Sequence, residues 1–300
     1  DRSLNAYKNI VLRNSGQDWG RTFFRDGLMS KLVNTTNLDY MDYRPVLVFL
    51  NGIFWGIHNM REKMNEHYLA EHHGVDPDNI DFVERDSLLI AGDLTAYRHL
   101  LDFVSQNDMS QPQNFVYVKT LMDVNNFMDY CISVMFYANP DWPWNNVKCW
   151  RPRTTNGRFK WLLFDNDYGF HGGHLSANSN MFNEIRQQNN GTTLLFFKLL
   201  ENENYRNTFI NRFADHLNTT FYPQRVTEMI ESMKRHIIGE MPRHIERWKN
   251  TFEGPWWLGS SIDNMDEWHQ AITVVIEFAL NRGSYVRQHI MEEFAINDGG

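Results

Sequence analysis

The sequence predicts an α+β fold of two lobes, in which a strand-rich first half is followed by a helical second half. Short apolar runs bounded by turn residues fill most of the first half, whereas apolar residues recur every three or four positions after Gly169. A hydrophobic content of 42%, with 14% aromatic residues, provides for a large core. Acidic and amide side chains gather where the two halves meet, and ligands usually bind in clefts of this kind.

The length and charge of the chain exclude several classes of protein. Its 300 residues suffice for one large domain or for two lobes that share an interface. A net charge of −8 argues against nucleic-acid binding, which needs clustered cations. No apolar run approaches the roughly 20 residues that span a bilayer, so we expect no membrane-spanning segment. Cys131 and Cys149 are too few for a disulfide framework or a zinc site, and burial of Cys131 on a helix is favoured over a bridge between them.

The first half is predicted to alternate between strands and helices. Asn51-Gly52 favours the positive φ angles of a tight hairpin turn. Asn65 and Gly74 are typical N-terminal and C-terminal caps of the helix that follows this hairpin. The predicted elements are a strand over 8–16, a helix over 20–33, a hairpin over 44–62, a helix over 65–74 and a strand over 77–86.

The rest of the chain is predicted to be helical except for one hairpin. Helices are expected over 94–108 and 123–139, and the second of them leads directly to Asp141. A hairpin over 146–167 then reverses the chain, so we expect Asp165 and Asp167 to return to the side where Asp141 and Asn146 lie. Three helical regions follow, over 192–221, 223–248 and 265–295.

The acids and amides around this second hairpin favour a divalent cation. Acidic groups among large aromatic residues are costly to desolvate unless a cation meets them. Two or three carboxylates with an amide suit a hard cation such as Mg²⁺ or Mn²⁺. Asp141, Asn146, Asp165 and Asp167 are therefore candidate ligands, although residues of these types also cap helices and form turns.

Two pairs of histidines are assigned to structural roles. His171 and His174, in the glycine loop HGGH, lack the third protein ligand that a zinc site needs. His72 and His73 are expected at an exposed helix end, where they offset the helix dipole.

The spacing of the acids is similar to that of protein kinases. Asp141 and Asn146 have the five-residue separation of the kinase catalytic-loop Asp, which accepts the substrate hydroxyl proton, and the metal-binding Asn. Asp167-Tyr168-Gly169 then resembles the kinase D-F-G, whose Asp binds Mg²⁺. Each match alone is common by chance, but their order and the hairpin between them favour phosphoryl transfer.

Four stretches of the sequence closely resemble the spore coat protein H (CotH) kinase-like family: LRNSGQDW…FFRD, VFLNGIFWGIHNMREKMNEHYL, NPDWPWNNVKCW and WLLFDNDYGF. The resemblance runs from about Val11 to Phe170. It implies an atypical protein-kinase-like fold in one domain over 1–300, with an N-lobe-like part up to about residue 110 and a C-lobe-like part over 111–300. It also implies an exported or cell-surface protein. Asp1 begins abruptly before a strand, so we expect a fragment of a longer protein, and we expect a monomer.

The same resemblance implies an activity. Some members of the family bind ATP with a divalent metal and phosphorylate Ser residues of spore-coat proteins. We therefore expect ATP, Mg²⁺ or Mn²⁺, and a protein substrate that accepts phosphate on a Ser or Thr hydroxyl. Asp141 matches the catalytic-loop Asp of the family and Asn146 the metal-binding amide. Asp165 or Asp167, or both, match its metal-binding Asp.

The expected phosphate contacts depart from the family pattern. The family usually carries a Lys in the N-terminal segment, where this chain reads GRTFFRDG and offers Arg21 and Arg25. Glu62 is expected to pair with such a cation, by analogy with the helix-C Glu of kinases. Lys148 completes the expected nucleotide-binding set. The kinase phosphate loop G-x-G-x-x-G is absent from the sequence.

Two other functions are compatible with the same residues. A catalytically idle scaffold or surface binding module would keep the fold and bind metal without turning over nucleotide. A metal-dependent phosphohydrolase or nucleotidyl transferase would use the same acids and release different products.

Overall fold

The computed structural model describes residues 7–251, 253 and 261–296. This part of the chain contains eight strands: Ile10–Arg13 (β1), Asp39–Tyr40 (β2), Tyr43–Leu50 (β3), Ile53–Glu62 (β4), Ile80–Glu84 (β5), Leu88–Ala91 (β6), Lys148–Pro152 (β7) and Lys160–Leu163 (β8). It contains eleven α-helices: Arg25–Leu32 (α1), Glu66–His73 (α2), Thr95–Gln106 (α3), Pro112–Leu121 (α4), Val124–Tyr137 (α5), Met181–Arg186 (α6), Gly191–Leu200 (α7), Glu203–Asn218 (α8), Pro223–Ile237 (α9), Met241–Trp248 (α10) and Met265–Glu293 (α11).

The α+β fold class, with a strand-rich first half and a helical second half, is confirmed. The last strand ends at Leu163, and the regular elements that follow in the described residues are helices. The helix predicted over 20–33 begins only at Arg25, because Phe23 has a φ of 73° that a right-handed helix cannot accommodate. None of the described helices combines the length and apolarity needed to cross a membrane.

The strands form two sheets that meet near the predicted site. The first sheet is antiparallel, with the order β1-β4-β3, and its central hairpin turns at Asn51 and Gly52, whose φ angles are 50° and 78°. The second sheet has the order β2-β8-β7-β5-β6, and only its short β2 strand runs parallel to a neighbour. The second predicted hairpin is confirmed, because β7 pairs with β8. The second sheet joins strands from both sides of residue 110.

The helix caps of α2 are as predicted, and so is the position of His72 and His73 in its last turn. Asn65 accepts a hydrogen bond from the Tyr68 amide at 3.1 Å, and Gly74 ends the helix with a φ of 64°. His73 is exposed, as predicted, whereas the His72 side chain is only 9% exposed. His72 lies 2.8 Å from the Glu62 carboxylate and His73 lies 2.9 Å from Asp39. These contacts attach α2 to the sheets.

The main core fixes the ends of α5 and β8, from which the site loops emerge. Asn126 on α5 accepts a hydrogen bond from the Trp161 amide on β8 at 2.6 Å, and Trp161 is fully buried. At the other end of α5, Phe136 stacks on Phe221 with ring centroids 4.1 Å apart. Cys131 is buried on α5, as predicted, and both cysteines are free thiols.

Candidate active site

Two loops bring the predicted acids and amide together. One loop follows α5 and carries Asp141 and Asn146; the other follows β8 and carries Asp165 and Asp167. The Asn146 amide nitrogen donates to the Asp141 carboxylate at 3.2 Å and to the Asp165 backbone carbonyl at 3.0 Å. The hairpin therefore returns the chain to the place that the sequence predicts.

Both loops are held in unusual backbone conformations. Asn146 and Asp165 have φ angles of 55° and 52°, which residues other than glycine adopt uncommonly. Buried Asn139 connects the loops, because its amide donates to Asn166 Oδ1 at 3.2 Å and its Oδ1 accepts from the Asp141 backbone amide at 3.0 Å. Strained residues that are fixed by their surroundings cluster at functional sites.

The cation that meets these acids is Arg13, which the sequence analysis did not single out. Arg13 ends β1, and its Nη2 donates to the carboxylates of Asp165 and Asp167, the latter at 2.8 Å. Its Nη1 lies 3.8 Å from Asp26 on α1. Burial alone would lower the pKa of Arg13, but the three carboxylates raise it above its ordinary value. Arg13 is therefore charged, and two candidate metal ligands converge on one nitrogen of its guanidinium.

The turn after β1 closes around Asp167. The Gln17 backbone amide donates to Asp167 Oδ2 at 2.9 Å, and the Gln17 side-chain amide lies against both carboxylate oxygens at 2.9 and 3.1 Å. Gly16 has a φ of 59°, and a Cβ at this position would lie 2.2 Å from Asp167 Oδ2 and 2.5 Å from Arg13 Nη2. Only glycine lets the backbone approach the ion pair this closely.

Asp26 and Arg61 anchor the loop that carries Asp167. Asp26 accepts the Asn166 amide at 2.8 Å and pairs with Arg61 at 2.6 Å, and all three residues are buried. Burial would raise the pKa of Asp26, but Arg61 and Arg13 lower it below its ordinary value. Asp26 is thus charged, and its hydrogen bond with Asn166 holds the loop that carries Asp167 in place.

Negative charge in the site exceeds what Arg13 neutralises. Burial, together with Asp165 and Asp26, raises the pKa of Asp167 despite the contact with Arg13. Burial also raises the pKa of half-buried Asp141, and the nearby Asp165 adds to this effect. A further cation near Asp165 and Asp167 would therefore be stabilised by the site.

Arg21 and Arg25 lie beside the Asp167 loop. Arg21 donates to the Gly172 carbonyl. Arg25 is 1% exposed, its Nε lies 3.5 Å from Asp18, and its Nε and Nη1 have no hydrogen-bond partner among the described residues. Burial lowers the pKa of Arg25, and Arg21 lowers it further. The two arginines thus form a concentration of positive charge next to the acids.

Glu62 does not pair with these arginines, contrary to the prediction. In the described part of the chain its carboxylate lies 2.8 Å from His72 Nε2 and accepts the Asp42 amide at 3.2 Å, while Arg21 and Arg25 contact other groups. The reason is topological, because β4 carries Glu62 to the end of the sheet that faces α2.

Lys148 lies on the other flank of the acids, at the start of β7. Its Nζ is 3.5 Å from Glu84 and 4.1 Å from the centre of the Phe164 ring, one residue before Asp165. Burial lowers the pKa of Lys148, although Glu84 opposes this effect. The half-buried ammonium group of Lys148, on the strand that pairs with β8, thus lies near the acids.

The acid and amide side chains suit a metal ion whose remaining coordination positions are filled by water and by the phosphates of a nucleotide. Among the residues that the structure describes, no three His, Cys, Asp or Glu side chains group as a metal site. Mg²⁺ in nucleotide sites takes one or two carboxylates and fills its other positions with water and phosphate oxygens. Asp165 and Asp167, whose oxygens meet at one cationic nitrogen, match that smaller requirement. Asn146 can add an amide oxygen.

An aromatic cavity borders the acids at Gly16. It has a volume of about 430 Å³ and is lined by Asn14, Gly16, Trp19, Trp55, His58, Trp248 and Thr251. Of the tryptophans that flank the acids in sequence, Trp142, Trp150 and Trp161 are buried in the core and only Trp144 is exposed. Large planar groups therefore have room beside the site in this cavity.

One comparison with known proteins identifies a family. The family model described as "CotH kinase protein" matches residues 1–286 of the 300-residue chain. No curated protein matches the chain at a significant level.

Proposed function

Because the chain belongs to the CotH kinase family, we propose that it is an atypical protein kinase that transfers the γ-phosphoryl group of ATP to a Ser or Thr hydroxyl of a protein, with Mg²⁺ or Mn²⁺. The proposal includes a two-lobed, kinase-like arrangement in which the acids face a nucleotide cleft. The convergence of Asp165 and Asp167 on one cationic nitrogen, beside half-buried Asp141, is the observation that carries it.

Asp165 and Asp167 are the proposed metal ligands, with Asn146 assisting. A bound divalent cation would neutralise phosphate charge and orient the γ-phosphoryl group for in-line attack. Arg13 holds the two carboxylates together, and Gly16 and Gln17 enclose Asp167. Burial, together with Asp165 and Asp26, raises the pKa of Asp167 despite Arg13, and a bound cation would favour its charged form, which supports this assignment.

Asp141 is the proposed catalytic base. The hydrogen bonds from Asn145 and Asn146, at 3.4 and 3.2 Å, orient its carboxylate. Its raised pKa favours acceptance of a proton from the attacking hydroxyl. In this role Asp141 positions and deprotonates the acceptor, and need not bind metal.

The phosphates of the nucleotide would meet Arg21, Arg25 and Lys148. Arg25 supports this assignment best, because a buried guanidinium with two unpartnered nitrogens is costly unless an anion completes its hydrogen bonds. Arginine binds phosphate oxygens in pairs, which suits a site without a glycine-rich phosphate loop. The adenine ring is assigned to the aromatic cavity that begins at Gly16.

Product analysis tests this function. The protein is incubated with Mn²⁺ and ATP labelled either on the γ- or on the α-phosphate, and both protein and nucleotide products are separated. Transfer of the γ-label to protein hydroxyls, lost in Asp141→Asn, is the expected result. Incorporation of the α-label would identify a nucleotidyl transferase, and free phosphate alone a phosphohydrolase. Metal binding without nucleotide turnover would indicate a scaffold.

A further inference from the structure

The acids of the candidate active site, Asp26, Asp141, Asp165 and Asp167, form one acid cluster. A second charged site lies outside this acid cluster, in a groove between α1, the start of β3 and α9. The groove has a volume of about 730 Å³, and its walls carry Lys31, Arg44, Arg225 and His236 against a single acid, Glu228. This concentration of basic residues contrasts with the net charge of −8 for the whole chain. Asp26 and Lys31, five residues apart on α1, lie about 140° apart around the helix, so the groove is separate from the acid cluster.

No carboxylate of the described residues forms an ion pair with a cation of the groove. Among the described residues, Lys31 and Arg44 form no ion pair and no hydrogen bond through their side chains. Arg225 is held by neutral oxygens only, the carbonyls of Thr220 and Leu32 and the side chain of Asn34. Burial lowers the pKa of Arg225, and no carboxylate offsets this effect. Glu228 accepts a hydrogen bond from Gln224 at 2.9 Å and forms no ion pair among the described residues.

The shape of the groove favours an extended ligand. Arg225, Ser232 and His236 lie on one face of α9 and span eleven residues, or about 16 Å along the helix axis. About five residues of extended peptide cover the same length. The four basic residues are distributed along the walls, whereas arginines that recognise one phosphate converge on it. Spaced carboxylates therefore match the groove better than a single phosphate.

We propose that this groove is a docking site for an extended, Asp- or Glu-rich segment of a partner protein. The side chains of Lys31, Arg44, Arg225 and His236 bind carboxylates of the segment. The site goes beyond the proposed kinase activity, because none of its residues belongs to the acid cluster.

Peptide binding tests the proposal. Fluorescence anisotropy is measured with a labelled peptide that contains a run of about five glutamates, and with the matching glutamine peptide. The glutamate peptide should bind and the glutamine peptide should not. Lys31→Glu/Arg44→Glu should weaken binding by about tenfold or more. The control Lys119→Glu/Arg235→Glu has the same charge change on exposed residues outside the groove. Its affinity for the glutamate peptide should lie within about twofold of that of the unmodified protein.

Equal binding of the glutamate and glutamine peptides, or equal losses in the groove and control double variants, would overturn the proposal. Tighter binding of a peptide with one phosphoserine than of the glutamate peptide would overturn it in favour of a phosphate site.

Discussion

Arg13 and Asp167 are 154 positions apart in the sequence, and their side chains meet at 2.8 Å in the centre of the site. Arg13 ends the first strand, and Asp167 lies in the loop that follows the last one. The same guanidinium nitrogen also donates to Asp165. The acid cluster is therefore assembled by the strand-rich half of the chain as a whole.

Arg13→Gln should destabilise the protein when no metal is present. Removal of the cation leaves the carboxylates of Asp26 and Asp167 buried without their shared partner, which costs on the order of 3 kcal/mol. Urea unfolding with and without Mn²⁺ measures the effect, and Mn²⁺ should restore part of the loss. Arg158→Gln is the control, because Arg158 pairs with Asp123 at 3.6 Å on the surface and should contribute about 1 kcal/mol or less. Equal losses in both variants would show that Arg13 has no special role.

Gly16→Ala should displace the Asp167 carboxylate in addition to straining the backbone. The new methyl group would lie 2.2 Å from Asp167 Oδ2 and so displace the carboxylate. Gly52→Ala is a matched control: its φ of 78° is also positive, but nothing lies within 4 Å of an added Cβ. We expect both variants to lose about 1 kcal/mol from the backbone, and only Gly16→Ala to lose Mn²⁺ and ATP affinity as well. Calorimetric titration of both variants decides this, and equal affinities would contradict the assignment of Asp167.

Asp141→Asn should slow phosphate transfer while leaving ATP binding nearly unchanged. The asparagine retains a side-chain oxygen for the hydrogen bonds from Asn145 and Asn146, but it cannot take a proton. We expect the rate of phosphate transfer to fall by about 10²–10⁴-fold, with the dissociation constant of ATP changed by less than about threefold. Single-turnover kinetics with labelled ATP measures the rate. A loss of nucleotide binding equal to the loss of rate would instead assign Asp141 to the metal.

The buried imidazole of His244 should make stability depend on pH. Its Nδ1 accepts the Ile57 amide at 2.9 Å, and burial lowers its pKa to about 3. An unfolded histidine binds a proton near pH 6.5, so the unfolded state holds more protons between these two values. The stability contributed by His244 is therefore present above pH 6.5 and is lost as the pH falls towards 3.

His244→Asn removes this titration and keeps an acceptor for Ile57. Between pH 6 and pH 4 the free energy of unfolding of the unmodified protein should fall by about 1.4 kcal/mol per pH unit more than that of the variant. Urea unfolding at several pH values measures both slopes. Above pH 7 the two curves should run parallel, and parallel curves at lower pH as well would disprove the role of His244.

Local patterns predicted most of the elements and half of the site. Asn51-Gly52 and Asn65 specify a turn and a cap through their own backbone and side-chain preferences, and both appear as predicted. The return of Asp165 towards Asp141 also follows from local structure, because one hairpin joins them. These features depend on residues that are neighbours in the sequence.

Long-range partners could not be predicted in this way. Arg13 is one of 29 basic residues, and nothing in the strand around it indicates a carboxylate 154 positions away. The expected pairing of Glu62 with Arg21 or Arg25 was wrong for the same reason, because sheet topology directs Glu62 towards His72. Gly16, three residues after Arg13, is the one local sign, because glycine often stands where the backbone approaches another group closely.

Calorimetric titration of ATP with Mn²⁺ tests the central claim most directly, with the unmodified protein compared with Asp165→Asn/Asp167→Asn. We expect saturable binding by the unmodified protein, and an affinity at least about 100-fold weaker in the double variant, which loses both carboxylate ligands. The variant should remain folded, because the asparagines can still accept from Arg13 and Gln17. Equal binding by both proteins, or no binding by the unmodified protein with either Mn²⁺ or Mg²⁺, would contradict the claim that these acids hold a metal–nucleotide complex.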